Sequence, residues 1–154
     1  MKKIGKRTVV LASGTFDLIH YGHVRYLEEA KRTGGDNSRL VVLVTRDRTV
    51  EKLKGRKPIL PEDQRRAIVE ALKPVDEAML GLYEMDPGAV IEEVRPDIIA
   101  LGYDQSSELE SQIEQTIKKH GWKIDVIRIG RFGREELNSS SEIRRRIVEV
   151  RQKP

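Results

Sequence analysis

The chain has 154 residues, 35% of them charged, with 29 Lys and Arg against 25 Asp and Glu and no cysteine. That length suits one domain with a substantial core, and the missing cysteines exclude disulfides, thiolate chemistry and a cysteine metal site. The net charge of +4 is mild, and much of the excess sits in Lys52–Lys57 and Arg144–Arg146, unlike the basic stripe with interleaved aromatics of a nucleic-acid-binding module.

No apolar run approaches membrane-spanning length, and the first residues run into a strand without a signal-peptide core. The expectation is a soluble, cytoplasmic protein. Thr8-Val9-Val10-Leu11-Ala12 is apolar and β-branched, predicting a buried strand over about residues 7–12. Val24, Leu27 and Ala30 then recur at helical spacing, with Arg25, Glu28, Glu29 and Lys31 on the other faces; a helix is expected over about 22–32. Gly34-Gly35-Asp36-Asn37 reads as a loop, and residues 40–45 as a second buried strand.

Residues 46–60 are charged throughout, with turn character from Gly55, Pro58 and Pro61. They are expected to form a partly mobile loop that grips phosphate, because ligands bind beyond the carboxyl ends of strands in such sheets. Pro61-Glu62-Asp63-Gln64 opens a helix to about Leu72, with Pro and acidic groups at its positive end and Ala67, Ile68, Ala71 and Leu72 as its expected buried face. Residues 75–80 predict a short third strand. Asp86 caps a helix from Pro87, with Val90, Ile91 and Val94 apolar. Residues 97–101 form strand four, ending in Gly102-Tyr103-Asp104-Gln105; a helix over 108–120 and a strand over 123–129 follow. The last helix starts near Ser139–Ser141 and runs to about Val150, with Ile143 and Ile147 inward and Glu142 completing a capping box with Ser139.

This alternation predicts a single Rossmann-like α/β domain: a doubly wound, five-stranded parallel sheet with helices on both faces. Its strand-end side gathers residues near 14–23, 46–57, 102–105 and 131–141 into one site.

The sharpest feature is His20-Tyr21-Gly22-His23, which holds two of the three histidines at a strand-to-helix connection. Unpaired N–H groups at a helix N-terminus suit phosphate, Gly22 admits a ligand close to the backbone, and two imidazoles at i and i+3 can grip phosphate oxygens. A metal site would need more ligands, and only the distant His120 and carboxylates at no telling spacing are on offer. Ser139, Ser140 and Ser141 offer hydroxyls and N–H groups for β- and γ-phosphates; a plainly well-capped helix is the alternative.

Gly14-Thr15-Phe16-Asp17 followed by His20-Tyr21-Gly22-His23 resembles the signature of the HxGH nucleotidyltransferases, in particular their cytidylyltransferase-like branch. Arg134-Glu135-Glu136-Leu137-Asn138-Ser139-Ser140-Ser141 is similar to the Arg-Thr-Glu-Gly-Ile-Ser-Thr-Thr of glycerol-3-phosphate cytidylyltransferases, keeping the Arg, the Glu and the hydroxyl run. The resemblance implies His20, His23 and Lys54 as the catalytic group, with Lys52 and Arg56 as competitors for the lysine's role on the transferred phosphate. It implies a nucleotide site from Gly14, Thr15, Phe16, Asp17, Tyr21, Gly22, Arg65, Gly102, Asp104, Arg134, Ser139, Ser140 and Ser141 together with the two histidines. Arg65 matches a family arginine, with pairing to Glu62 or the surface as its alternative. Asp17 is left between orienting the histidine loop and ligating magnesium, and no metal ligand is assigned. Magnesium bridging the phosphates is expected, since it keeps several waters.

Within that family, Thr45–Val50, Lys52–Pro58, Leu72–Asp76 and Arg95–Gln105 resemble archaeal FAD synthases, which transfer AMP from ATP to FMN. That implies ATP and FMN as small-molecule partners, with neither nucleic acid nor membrane, and is compatible with a homodimer. The alternatives are a cytidylyltransferase making a CDP-alcohol such as CDP-glycerol, a pantetheine-phosphate adenylyltransferase, and a nucleotide sensor without catalysis.

Overall fold

The computed structural model describes residues 5–132 and 139–153. Five strands, β1 (Thr8–Gly14), β2 (Ser38–Val44), β3 (Glu77–Leu80), β4 (Ile98–Leu101) and β5 (Asp125–Arg128), form one sheet in the order β3-β2-β1-β4-β5. Every neighbouring pair is parallel. The helices are α1 (Tyr21–Thr33), α2 (Asp47–Lys54), α3 (Glu62–Glu70), α4 (Pro87–Val94), α5 (Ser107–His120) and α6 (Ser140–Gln152). This is the doubly wound sheet that the sequence predicts, and strand order reverses between β1 and β4.

Alternation along the strands splits the core in two. Val10, Ala12, Leu40, Val42, Val44 and Ala100 pack with Leu27 and Ala30 of α1 and Val69 of α3. Leu11, Val41, Ile99 and Leu101 pack on the other face with Val90 and Ile91 of α4 and Ile113 and Ile117 of α5. The central strands are apolar at successive positions because both faces are covered. Among the described residues no helix is long and apolar enough to cross a membrane.

Three expectations are corrected. The charged stretch 46–60 contains α2, whose helix signal is thin because only Val50 of its eight residues is buried. Charge placement supports it instead: Asp47 lies in the first turn, Lys52 and Lys54 in the last, and Gly55 closes it in the left-handed region at φ 70°. Of the expected face of α3 and the turn after it, Leu72 packs against the core but Ala67, Ile68 and Ala71 are exposed, and the buried stripe of the helix is Arg65 and Val69; an arginine on the inward face conceals that stripe from a hydrophobicity reading. In α6 no residue is buried and Ile147 is 49% exposed. Its first turn holds it instead, and Ser139 Oγ accepts from the Glu142 N–H at 3.1 Å.

Arg65 explains how α2 and α3 are locked. Fully buried, it donates from Nε to the Leu60 carbonyl (3.0 Å), from Nη1 to the Thr15 carbonyl (2.6 Å) and from Nη2 to Asp47 Oδ1 (2.6 Å). Its acid is Asp47 rather than Glu62. Glu62 accepts from the Asp47 N–H at 2.8 Å and Asp47 from the Glu62 N–H at 3.2 Å, so the two helices cap one another. Removing a buried cation from such a network costs about 3–5 kcal/mol, whereas surface pairs contribute about 0–1 kcal/mol. Arg65→Met is therefore expected to lower the urea midpoint sharply, and Arg66→Met, which removes the Glu70 pair and a 3.4 Å bond to the Ala78 carbonyl at the surface, to lower it much less.

Candidate active site

A cavity of about 710 Å³ opens at the carboxyl ends of β1 and β4, the switch point where open α/β sheets bind ligands. Its wall combines the β1–α1 connection, α2 and the segment after it, the loop after β4, and the start of α6. Of the residues expected there, Gly14, Thr15, Phe16, Asp17, His20, Gly22, His23, Lys54, Gly102, Asp104, Ser139, Ser140 and Ser141 all line it. Tyr21 is exposed outside that lining. Arg65 lies behind the wall with its donors engaged by protein, and Arg134 lies outside the described residues.

The β1–α1 connection is strained into shape. Phe16 and Leu18 sit at φ 53° and 51°, a region that residues other than glycine rarely adopt. The Phe16 ring turns inward beneath His23, with centroids 5.3 Å apart. A Cβ on Gly14 would stand 3.0 Å from that ring, so any side chain there would have to push the ring by a few tenths of an ångström. Between the two strained residues, Asp17 is 5% exposed. Its carboxylate accepts from the N–H groups of Ile59 (2.8 Å) and Leu60 (3.0 Å) and pairs with Arg144 at 3.4 Å. Its carbonyl accepts from Ser140 Oγ.

His20 is the N-cap of α1 in extended conformation, and its N–H donates to His23 Nδ1 at 3.3 Å. A neutral His23 with Nδ1 accepting must carry its proton on Nε2. The two rings stack with centroids 3.8 Å apart. Burial lowers the His23 pKa to about 3, aided by the neighbouring His20 and by Lys54 and opposed by Asp17. Burial also lowers His20, against the pull of Asp104 and Glu142. Both imidazoles are accordingly neutral donors near pH 7, and His20 Nδ1 is buried without a hydrogen-bond partner among the described residues.

The loop after β4 is held from two sides. Gln105 accepts from the Gly102 N–H at 2.7 Å and donates to Ser13 Oγ at 3.0 Å, bridging β1 and β4. Arg128 at the end of β5 donates to the carbonyls of Gly102 (3.0 Å) and Gln105 (2.8 Å), and its guanidinium pairs with Glu110. Arg128 is a positioning residue for this loop that sequence reasoning missed. It carries no local signal, because its partners are carbonyls more than twenty positions away.

Lys54, Arg56, Lys57 and Arg144 also face the cavity, making that end cationic and suited to phosphate. Sequence reasoning assigned Arg144 no site role, though its place one turn after the serine run was a usable signal. Opposite, Arg46 donates from Nε to the Gly81 carbonyl at 2.7 Å and stacks on Tyr83 at 4.1 Å. No group of three potential metal-ligating side chains exists among the described residues. The carboxylate of Asp17 is engaged by two N–H groups and Arg144.

The arrangement can bind a triphosphate, present donors to one phosphorus and leave room for a second molecule. Comparisons with known proteins agree in kind. The chain is 49% identical over 140 residues to the FAD synthase of Aciduliprofundum boonei, covering 91% of this chain and 90% of that one. It is 52% identical over 139 residues to that of Ferroglobus placidus, covering 90% and 87%. Among solved structures, the lipopolysaccharide core biosynthesis protein of Thermoplasma volcanium superposes with a TM-score of 0.72 at 41% identity, over 83% of this chain and all of that one. The family model described as cytidylyltransferase-like matches residues 11–146, from the middle of β1 to two residues past Arg144, and so spans every wall of the cavity; the chain belongs to the cytidylyltransferase-like family.

Proposed function

We propose that the chain is an FMN adenylyltransferase, an FAD synthase that transfers AMP from ATP to FMN and releases pyrophosphate. The observation that carries the reading is the stacked, neutral histidine pair at the start of α1, opening onto a cavity whose far wall is the serine-capped start of α6. The similarity to curated FAD synthases, at 45–52% identity over nine-tenths or more of the chain, supports FMN as the acceptor. A phosphate oxygen of FMN attacks the α-phosphorus of ATP. The bond from that phosphorus to the oxygen bridging to the β-phosphate breaks, and pyrophosphate leaves with the electron pair. The FMN phosphate is largely ionised at neutral pH, so no protein base or nucleophile is required, and positioning and charge neutralisation supply the catalysis.

In this reading Nε2 of His23 and the ring of His20 donate to the α-phosphate as its charge develops. Lys54 holds the transferred phosphate. Ser139–Ser141, the free N–H groups of the first turn of α6, and Arg144 hold the leaving pyrophosphate. Gly102 and Asp104 meet the nucleoside. A magnesium ion would fit as a companion of the triphosphate, needing one or two carboxylates at most, and would neutralise phosphate charge; the lining acid Asp104, whose charge already acts on His20, would be its protein ligand. Arg65 acts through the loop it braces.

The reading is checked by pyrophosphate release with ATP or CTP crossed against FMN, glycerol 3-phosphate and phosphopantetheine. Turnover is expected with ATP and FMN alone, with FAD as product. CTP with glycerol phosphate as the active pair would replace it with cytidylyl transfer. His20→Ala and His23→Ala are each expected to lower kcat about 10²–10³-fold, the usual loss for one oxyanion-type donor, with circular dichroism unchanged; near-normal turnover would remove the pair from the mechanism. Burial of His23 also sets a pH dependence. Between the ordinary imidazole value of 6.5 and about 3, the unfolded chain binds a proton that the folded chain does not, so stability falls as pH drops through that window. His23→Gln should shrink the loss of urea midpoint between pH 7 and pH 4, and an unchanged slope would place the acid sensitivity elsewhere.

A further inference from the structure

The pairing of β1 with β4 stops at Ala12 and Ala100, whereas β1 stays paired with β2 as far as Gly14 and Val44. Along a parallel strand, alternate residues turn their backbone groups to opposite neighbours. The Val9 carbonyl accepts from the Asp97 N–H on the β4 side and the Gly14 carbonyl from the Thr45 N–H on the β2 side, so Ser13 faces β4. The Leu101 carbonyl accepts from the Ile129 N–H on the β5 side, so Ala100 faces β1. The next ladder bond would therefore run from the Ser13 N–H to the Ala100 carbonyl. The Tyr26 hydroxyl stands in its place. It accepts from the Ser13 N–H at 3.4 Å and donates to the Ala100 carbonyl at 2.6 Å. The bond after that, from the Gly102 N–H to the Ser13 carbonyl, is diverted as well. Gly102 donates to the Gln105 side chain, and the Ser13 carbonyl lies 3.4 Å from the same Tyr26 oxygen.

Tyr26 reaches this point from α1, one turn on from His23. The Phe16 ring packs against both, with its centroid 5.3 Å from that of His23 and 6.5 Å from that of Tyr26. Burial raises the phenol above its ordinary value, so the hydroxyl keeps its proton and remains a donor. One side chain thus joins the two halves of the site: the histidine turn through Phe16, and through Ala100 the strand that delivers Gly102 and Asp104. Without the hydroxyl, the Ser13 N–H and the Ala100 carbonyl would be left unpaired, or β1 and β4 would close by one more bond and narrow the crevice between them. We infer that Tyr26 is a positioning residue, whose hydroxyl, inserted into the β1–β4 ladder, holds the crevice open and keeps the loop after β4 in register with the histidines. The inference rests on the proposed function at one point, that ATP spans from that loop to the cationic end. A mismatch of about 1 Å between two such groups can cost about 10²-fold in rate, although Tyr26 itself touches no reacting atom.

Two ligands separate register from fold. ATP bridges the loop after β4 and the cationic end, whereas inorganic tripolyphosphate fills the cationic end alone. Both are titrated without acceptor against the wild type and Tyr26→Phe, which fills the same space and loses only the hydroxyl. The Kd of ATP is expected to rise by about tenfold or more and kcat for FAD formation to fall by a similar factor, while the Kd of tripolyphosphate stays within about twofold. Ile117→Val, which trims the core under α5 outside the cavity lining, controls for lost stability and is expected to leave all three values unchanged. Wild-type affinity for ATP in folded Tyr26→Phe, equal weakening of ATP and tripolyphosphate, or the same losses in Ile117→Val overturns the inference. If Tyr26→Phe does not fold, Gln105→Leu, which strips the other filler from the gap, decides by the same pair of affinities. A wild-type chain that binds ATP but forms no FAD would overturn transfer to FMN, and the two affinities would still judge Tyr26.

Discussion

A buried carboxylate without partners is not tolerated in a protein interior, and Asp17 meets that constraint by drawing three distant segments to itself. The N–H groups of Ile59 and Leu60 come from the approach to α3, Arg144 from the first turns of α6, and the Ser140 hydroxyl reaches the Asp17 carbonyl from the start of α6. The left-handed backbone on either side of Asp17 is strain that these bonds offset. The consequence is functional. The histidine pair, the segment after Lys54 and the serine cap of α6 are fixed relative to one another before any ligand arrives, which is what catalysis by positioning needs. Arg65 performs the matching task from below, tying the Thr15 and Leu60 carbonyls to Asp47.

The histidine pair depends on the same frame. Two imidazoles stacked at 3.8 Å cannot both be charged at low cost, and burial already disfavours the charged form of each. The pair therefore offers hydrogen bonds while Lys54, Arg56, Lys57 and Arg144 supply the positive field. Separating donor from charge carrier keeps the donors close-packed against Phe16, where a solvated cation could not sit. An incoming triphosphate would favour protonation of a ring only as its own charge arrives, so the field strengthens with occupancy.

The sheet was legible because its central strands are buried on both faces and read as continuous apolar runs, and the histidine loop because glycines and histidines are scarce enough to stand out. The misreadings share one physical cause: charge engaged in structure. In α3 the inward stripe begins with Arg65, so a hydrophobicity pattern rotates the helix toward Ala67 and Ile68, which face water. In α2 the helix rests on charge–dipole placement and on reciprocal capping with Glu62, and neither leaves an apolar period. The first turn of α6 is held by Ser140 and Arg144 on Asp17, so Ile147 has no burial to contribute. Arg128 was invisible for a simpler reason, since a guanidinium on the carbonyls of Gly102 and Gln105 is a tertiary event with no spacing to read.

The lining of the cavity also divides between segments that this frame holds and segments that it does not. In the proposed reaction the histidines, Lys54 and the cap of α6 would handle phosphate. Discrimination has to come from walls that the phosphates do not touch. In this chain the lining that the phosphate-facing groups leave over includes the segment after β3, with Glu84, Met85 and Asp86. That segment can change without disturbing Asp17 or Arg65, because neither residue bonds to it. The frame held by Asp17 and Arg65 and the lining supplied by the segment after β3 are separate in the chain and meet at the carboxyl edge of the sheet.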